Sequence, residues 1–386
     1  MVTAAPPNRT KLTFVLHKFD RGGSLRVAAY LARGFADAGM DVDLIAFTNR
    51  GEVEAIILDL MGDEIPVQYL SSWSGPRPLD LIRGLPRLVR ALRARAPNTI
   101  VAAANNVALV SAIARALAGL SAARLFLKTT NPIASSRHTG LVKYLRRWTY
   151  RKIFPGTTAV LTLSEPESAE MRAAFPDFAS LFHAVANPYV TPAMLGAGEG
   201  SVPSAVAPVI LGVGRLTAQK RFELLIEAFA LVRDKSVTLK ILGEGEQRAE
   251  LTELVRTLDL EERVSLPGYV ASIAAEYHQA ALFVLTSDYE GLPAVVLEAM
   301  AANCPVLVTD CFPAARALVD GAEGCAIIER TDPASIAALI DAQLGQPRPT
   351  RLRAVAETYS IANGVASHAA AMDLPWPKND TRPIAG

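Results

Sequence analysis

Histidine and cysteine are scarce in this chain of 386 residues, and several familiar signatures are missing altogether. The five histidines, at positions 17, 138, 183, 278 and 368, show none of the short spacings that build a metal centre, so no metal site is expected. Three cysteines, Cys304, Cys311 and Cys325, are too few and too clustered for a disulfide framework; they read as reduced thiols of a cytoplasmic protein. There is no GxGxxG and no GxxxxGK[ST], which leaves dinucleotide-fingerprint and P-loop chemistry unsupported. The opening MVTAAPPNRTK lacks the apolar core of a signal peptide. The best candidate for a membrane span, residues 100–120, is interrupted by Asn105, Asn106 and Arg115 and reads instead as a buried strand followed by a helix.

What is present points to a folded protein of more than one domain. Half the residues are hydrophobic (51%) and a fifth are charged (20%), which excludes disorder, and the length exceeds what one core usually serves. The net charge of +1 conceals an asymmetry: residues 1–190 hold 23 Lys+Arg against 14 Asp+Glu, and the remainder 16 against 24. A basic half joined to an acidic half implies two domains with different partners, the basic one suited to something anionic.

Short apolar runs alternate with longer amphipathic stretches throughout. KLTFVLHK (11–18) predicts a strand, Gly22-Gly23 a turn, and 24–38 a helix with Val27, Ala28, Leu31 and Phe35 on one face. Residues 41–47 predict the next strand. In the second half, strands are predicted at 209–213, 237–242, 264–266, 282–286 and 305–309, with helices near 221–234, 246–258, 272–280, 294–302 and 313–319 between them. The Gly-, Pro- and Ser-rich stretch 191–208 reads as a linker. The expected architecture is α/β: two Rossmann-like, doubly wound domains facing a central cleft, over 1–190 and 209–364, with a C-terminal helix at about 365–386 packing back on the first.

Three constellations carry chemistry. Gly22-Gly23 lies between first strand and first helix, where glycine lets a backbone approach an anion, and where glycine also serves plain turn geometry. Arg215, at the end of the strand 209–213, and Lys220 at the next helix start can together neutralise a diphosphate, or can be solvated loop charges. SDYEGLPAVVLEAM (287–300) says most: Gly291 and Pro293 set up a helix start, Glu290 precedes it, and Glu298 lies in a helix apolar nearly all round. As alternatives, Glu290 serves as a cap and Glu298 as a surface charge. Asp41-Val-Asp43 imitates a metal-binding Asp-x-Asp, but it opens a strand and would lie at the wrong end of a sheet.

At these residues the sequence resembles family 4 of the retaining glycosyltransferases, which have the GT-B fold. The resemblance rests on GVGRLTAQKRFELLIEAFA (212–230), LKILGEGEQRAEL (239–251), VSLPGYV (264–270) and SDYEGLPAVVLEAMAANCPVLVTDC (287–311), with Glu290 and Glu298 in the family's Glu-x7-Glu spacing. The first half matches more loosely, through GGSLRV, Asn131-Pro132 and the Ser164-Glu165-Pro166 turn. The resemblance implies that Arg215 and Lys220 hold the donor diphosphate, Glu298 the ribose hydroxyls, and Glu290 the transferred sugar. It also implies that the backbone of Gly291, Leu292, Pro293 and Ala294 contacts sugar and phosphate, that Gly23 lets the first loop approach the diphosphate, and that Gly268, Tyr269 and Val270 lie near the base. The implied reaction is metal-independent transfer of a hexose from a nucleoside-diphosphate sugar, with no cofactor, to a glycan or lipid-linked acceptor. Alternatives are a nucleotide-sugar 2-epimerase of similar fold and a non-catalytic sugar-nucleotide-binding partner in a glycan assembly complex.

The chain departs from the family pattern in places. Thr130 replaces a frequent His before Asn131, Ser24, Leu25 and Arg26 follow Gly23 where a Glu is usual, and FPAAR (312–316) replaces a Gly-Gly with nearby Glu. Cys304 replaces a common Gly and reads as a buried thiol. Finally, Arg83, Arg87 and Arg90 share a helix with Leu81, Ile82, Leu85, Leu88 and Leu92, while Lys143, Arg146, Arg147, Arg151 and Lys152 surround Tyr144, Trp148 and Tyr150. Such basic amphipathic stretches suit peripheral contact with an anionic membrane as well as a solvated helix face; nucleic acid is not expected, for lack of any recognised module.

Overall fold

The computed structural model describes residues 9–18, 23–48, 60–62, 64–72, 75–133, 140–196, 208–270 and 272–376, Lys143 without its side chain. The chain divides into two compact units, residues 1–188 with 361–386, and residues 189–360. Of the stretch expected as a linker, 197–207 lies outside the described residues, and Pro192–Gly196 forms a short helix of the second unit.

In unit 1, strands β1 (Lys11–Lys18), β2 (Asp41–Thr48), β3 (Val67–Ser71), β4 (Thr99–Ala102), β5 (Arg124–Lys128), β6 (Ala159–Thr162) and β7 (Phe182–Ala184) form one parallel sheet in the order β3-β2-β1-β4-β5-β6-β7. The described helices between them are α1 (Gly23–Asp37), α2 (Arg77–Arg95), α3 (Ala108–Leu117), α4 (Gly140–Ile153) and α5 (Glu165–Ala174). The first strand coincides with the sequence reading, and the doubtful span 100–120 is the buried strand β4 followed by α3. Of the apolar residues that share α2 with Arg83, Arg87 and Arg90, Leu88 and Leu92 enter the core and Ile82 is 68% exposed.

Unit 2 repeats the plan. After α6 (Pro192–Gly196) come β8 (Val209–Val213), α7 (Phe222–Ala230), β9 (Thr238–Leu242), α8 (Arg248–Thr257), β10 (Val264–Gly268), α9 (Ile273–Gln279), β11 (Leu282–Leu285), α10 (Ala294–Ala301), β12 (Val306–Thr309), α11 (Ala315–Val319), β13 (Cys325–Ile328), α12 (Pro333–Leu344) and α13 (Leu352–Glu357). Its six parallel strands run β10-β9-β8-β11-β12-β13. Strands such as LFVL and VLVT are apolar along their whole length because helices cover both faces of a parallel sheet. In each sheet the order reverses once, between β1 and β4 and between β8 and β11, and ligands of doubly wound folds bind at the carboxyl ends of strands at such a point.

The last helix, expected at about 365–386, spans Ile361–Ala371 (α14), belongs to unit 1 and packs on α1; 377–386 lie outside the described residues. Gly34 leaves no room there for a side chain, since a Cβ would lie 2.7 Å from Val365. Beyond α14, Trp376 meets Phe35 edge-on at 6.4 Å, and Arg124 donates to the Met372 carbonyl at 2.8 Å.

Candidate functional site

The loops at the carboxyl ends of β8, β9, β10 and β11 interlock through close backbone approaches. A Cβ on Gly243 would lie 2.0 Å from the carbonyl oxygen of Gly214, and the residue's φ of +136° is itself glycine territory. Gly268, at φ +81°, leaves room for the Glu244 carboxylate, which a Cβ would meet at 2.5 Å. That carboxylate is held by Arg248 through two charge-assisted bonds of 2.6 Å. Glycine in GEG therefore reflects loops packed backbone to backbone, Gly243 on Gly214 and Gly245 on Leu216, while Gly214 and Gly268 make way for the side chains of Lys220 and Glu244 on a common floor.

Lys220 and Glu290, 70 positions apart in sequence, meet on this floor. Lys220 closes the turn Ala218–Lys220 and its Nζ lies 2.7 Å from Glu290 Oε1, with the two side chains only 15% and 12% exposed. Arg221, in the left-handed region at φ +50°, turns the chain sharply between Lys220 and α7. The loops are tied further by Gln219, whose Nε2 donates to the Tyr289 carbonyl at 2.8 Å and whose own carbonyl accepts from the Asp288 amide at 2.9 Å. The Glu290 amide donates to the Cys311 carbonyl at 2.8 Å, and Cys311 has its thiol pushed up to about 12 by burial, with the Glu290 carboxylate adding to the effect. Arg215, one residue beyond Gly214, is exposed.

Glu290 does not cap the following helix: Pro293 occupies the N-cap of α10 and supplies no side-chain bond to the first-turn amides. Gly291, Leu292 and Pro293 are buried and Ala294 half-buried, so this turn is a packed platform carrying helix N–H groups. Glu298 is no surface charge. It is 1% exposed, and the buried Tyr277 of α9 donates to its Oε2 at 3.0 Å. Past β10, Tyr269 stands 57% exposed and Val270 half-buried. The structure thus gathers Arg215, Lys220, Gly268, Tyr269, Val270, Glu290, Gly291, Leu292, Pro293, Ala294 and Glu298 in unit 2, and places Gly23 at the first position of α1 in unit 1, with open space where a Cβ would stand. Gly22 and His138 lie outside the described residues.

Sequence reasoning missed the partners that orient this set. Tyr277 and Gln219 belong to no charged motif; Tyr277 is legible only as an unusually polar aromatic in a short helix whose neighbour carries a buried acid. In unit 1 it missed a polar interior. Lys128, at the end of β5, is fully enclosed and donates to Asn187; burial draws it down to about 7, against the pull of Glu167. Glu167 is pushed up to about 7 by burial, although the Leu163 amide (2.7 Å) and the Thr129 hydroxyl (3.2 Å) both donate to it. Asn105 bridges the ends of β4 and β5, accepting from the Thr130 amide at 3.1 Å and donating to the Asn131 carbonyl at 2.6 Å, where the family's His would stand. The Asp41-Val-Asp43 pair is taken up by Arg95, at 2.8 Å and 3.0 Å. Cys304 is fully buried, its thiol raised to about 12 by desolvation. Among the described residues no group of three or more His, Cys, Asp or Glu is placed to hold a metal ion, and no helix is long and apolar enough to cross a membrane.

Comparison with known proteins bears on both halves. Residues 207–346 match the family described as glycosyl transferases group 1, and residues 22–188 the glycosyl transferase 4-like domain. A glycosyltransferase of Haemophilus influenzae is 24% identical over 90% of this chain and 95% of its own length. The poly(glycerol-phosphate) alpha-glucosyltransferase of Bacillus subtilis is 28% identical over 62% of this chain but only 37% of its own. Among solved structures, Anabaena HepE in complex with UDP and glucose superposes with a TM-score of 0.73 at 20% identity, covering 95% of this chain and all of that one.

Proposed function

We propose that this chain, which belongs to the GT4-like glycosyltransferases of the GT-B fold, moves a hexose from a nucleoside-diphosphate sugar to a glycan or lipid-linked acceptor in the synthesis of a surface polysaccharide or glycolipid. In this reading the enzyme is cytoplasmic or peripheral on the inner face of a membrane, transfers with retention of configuration, and uses no metal. The observation that carries the reading is the Lys220–Glu290 pair beside the α10 amides, at the strand ends where the order of the sheet reverses.

The chemistry follows from charge. As the glycosidic bond breaks, the departing nucleoside diphosphate gains negative charge. Lys220, Arg215 and the first-turn amides of α10 are already in place to stabilise it, so little reorganisation is needed during the reaction. Glu298, oriented by Tyr277, is the group for the ribose hydroxyls, and Glu290 for the transferred sugar. Pairing of Lys220 with Glu290 keeps both charges compensated until the donor's phosphate takes over the ammonium. A donor phosphate oxygen then receives the acceptor's hydroxyl proton on the face the leaving group vacates, which yields retention. A UDP-type donor has support from the solved HepE complex, and a polymeric acceptor from the Bacillus relative.

The direct test is transfer from each common nucleoside-diphosphate hexose to glycan and lipid-linked acceptors, with EDTA present, reading the anomeric configuration of the product. A retained, EDTA-insensitive product is expected; an inverted product or strict metal dependence would overturn the mechanism. The same incubation without acceptor separates the alternatives: slow donor hydrolysis marks a transferase, a changed sugar marks an epimerase, and intact donor marks a non-catalytic binding partner.

A further inference from the structure

The outer surface of unit 1 carries a feature that transfer chemistry does not use. From position 77 to 153 the sequence holds 15 Lys+Arg, of which Lys128 is buried, and a single acid, Asp80, which is buried too. This stretch contains α2, α3 and α4, which pack in succession, α2 on α3 and α3 on α4. Ten of the thirteen exposed large hydrophobic side chains among the described residues lie on these three helices.

Their spacing makes outward stripes. On α4, Leu141, Tyr144, Leu145 and Trp148 recur at i, i+3, i+4, i+7 and are between 50% and 70% exposed. A helix ordinarily turns that stripe to the core, and here it faces solvent. On α3, Leu109, Ile113 and Leu117 form a second outward row, one residue per turn. Basic groups frame the apolar rows: Lys152 lies 5.8 Å from the Trp148 ring centre, and Arg83, Arg87 and Arg90 are exposed along α2. Between the rings of Tyr144 and Trp148 and the side chains of Arg147 and Arg151 lies a shallow concavity of 420 Å³. Arg147 is anchored to the Ala174 carbonyl and the Phe175 ring, and Arg151 to Asp177 at 3.0 Å, so both guanidiniums are held in place. Tyr150, expected among the interfacial aromatics, is buried against Phe154 and takes no part.

We infer that the α2–α4 face docks on an anionic lipid bilayer, with the α4 stripe entering the headgroup region and the flanking arginines meeting lipid phosphates. Apolar side chains with interfacial aromatics, on helices framed by cations and with no exposed acid of their own, match such a surface. A second copy of the chain is a poor occupant, because two faces of the same strong positive charge repel. The face holds none of the donor-side residues of unit 2, so its test is independent of the transfer reaction.

The experiment is flotation of the full chain with vesicles of phosphatidylcholine alone and of two parts phosphatidylcholine to one part phosphatidylglycerol, at low and high salt. The chain should float with the anionic vesicles, stay down with the neutral ones, and be released by salt. The double variant Leu145→Asp, Trp148→Ala should lose at least about tenfold in partitioning, with its melting temperature and donor hydrolysis unchanged. Should that variant melt early, the charge reversals Arg83→Glu and Arg87→Glu on α2 provide the same test. Failure to float with anionic vesicles, equal flotation with neutral ones, undiminished flotation of a folded variant, or a lipid-free dimer that the variant dissociates would each overturn the proposal.

Discussion

At the strand ends of unit 2, Lys220 and Glu290 form an ion pair at the edge of solvent; in unit 1, Lys128 and Glu167 are sealed inside, each shifted by burial toward its neutral form. The outer surfaces contrast as well. Unit 1 turns apolar stripes and arginines outward, whereas of the exposed large hydrophobics in unit 2 only Leu231 and Tyr269 are described. Lys220 and Glu290 are mostly covered but compensate one another directly, whereas Lys128 donates to Asn187 and Glu167 accepts from the Leu163 amide and the Thr129 hydroxyl, each held by neutral partners of its own. The polar groups of unit 2 thus form a charged pair at the strand ends, and those of unit 1 tie its own strand ends together.

Removing either partner of the Lys220–Glu290 pair should have the largest effect on turnover. Lys220→Ala and Glu290→Ala are expected to reduce transfer by about 10²–10³-fold, the usual loss for a preorganised group facing developing charge, with melting temperature nearly unchanged. Gly243→Ala breaks the floor itself: its Cβ would sit 2.0 Å from the Gly214 carbonyl, so about 2 kcal/mol of stability should be lost along with donor binding, measurable by denaturant melts. Tyr277→Phe removes a donor to the buried Glu298 and should raise the donor KM about tenfold while kcat holds; a fall in kcat alone would mean that Glu298 acts on the chemical step.

In unit 1 the equivalent change should alter stability rather than turnover. Lys128, at about 7 when folded against an ordinary 10.5, binds fewer protons in the folded chain than in the unfolded one within that window. Its contribution is complete above the window and is lost as pH falls through it, so wild-type stability should climb between those values and that of Lys128→Met should be flatter. The smallest effect concerns Ala96, the exposed C-cap of α2, at φ +47°. Ala96→Gly should stabilise the chain by about 0.5 kcal/mol in thermal melts, since glycine adopts that conformation without penalty.

Sequence legibility followed the same division. In unit 2 Lys220, Glu290 and Glu298 were readable through the motifs that carry the family resemblance, since spacing alone left loop and surface charges open, and helices such as 221–234 were overextended only at their ends, α7 closing at Ala230. Tyr277 escaped because nothing in its local pattern says that its hydroxyl meets an acid 21 residues on. In unit 1, Lys128 and Glu167 were silent because burial is a property of the assembled sheet, and a lysine at a strand end looks like a surface charge. The basic helices were legible as amphipathic, but periodicity alone could not say that Tyr150 and Leu88 turn inward while Ile82 and Trp148 turn out.

Donor binding without metal is the property on which the roles of Lys220 and Glu290 depend. Thermal unfolding with UDP, GDP, ADP and their common sugar conjugates, each with and without EDTA, measures it, since any ligand of the folded state raises the melting temperature by mass action. One nucleotide should stabilise the chain equally with and without EDTA, and the shift should vanish in Lys220→Ala. No shift from any of them, or a shift that EDTA abolishes, would contradict a metal-free donor site built on Lys220 and Glu290.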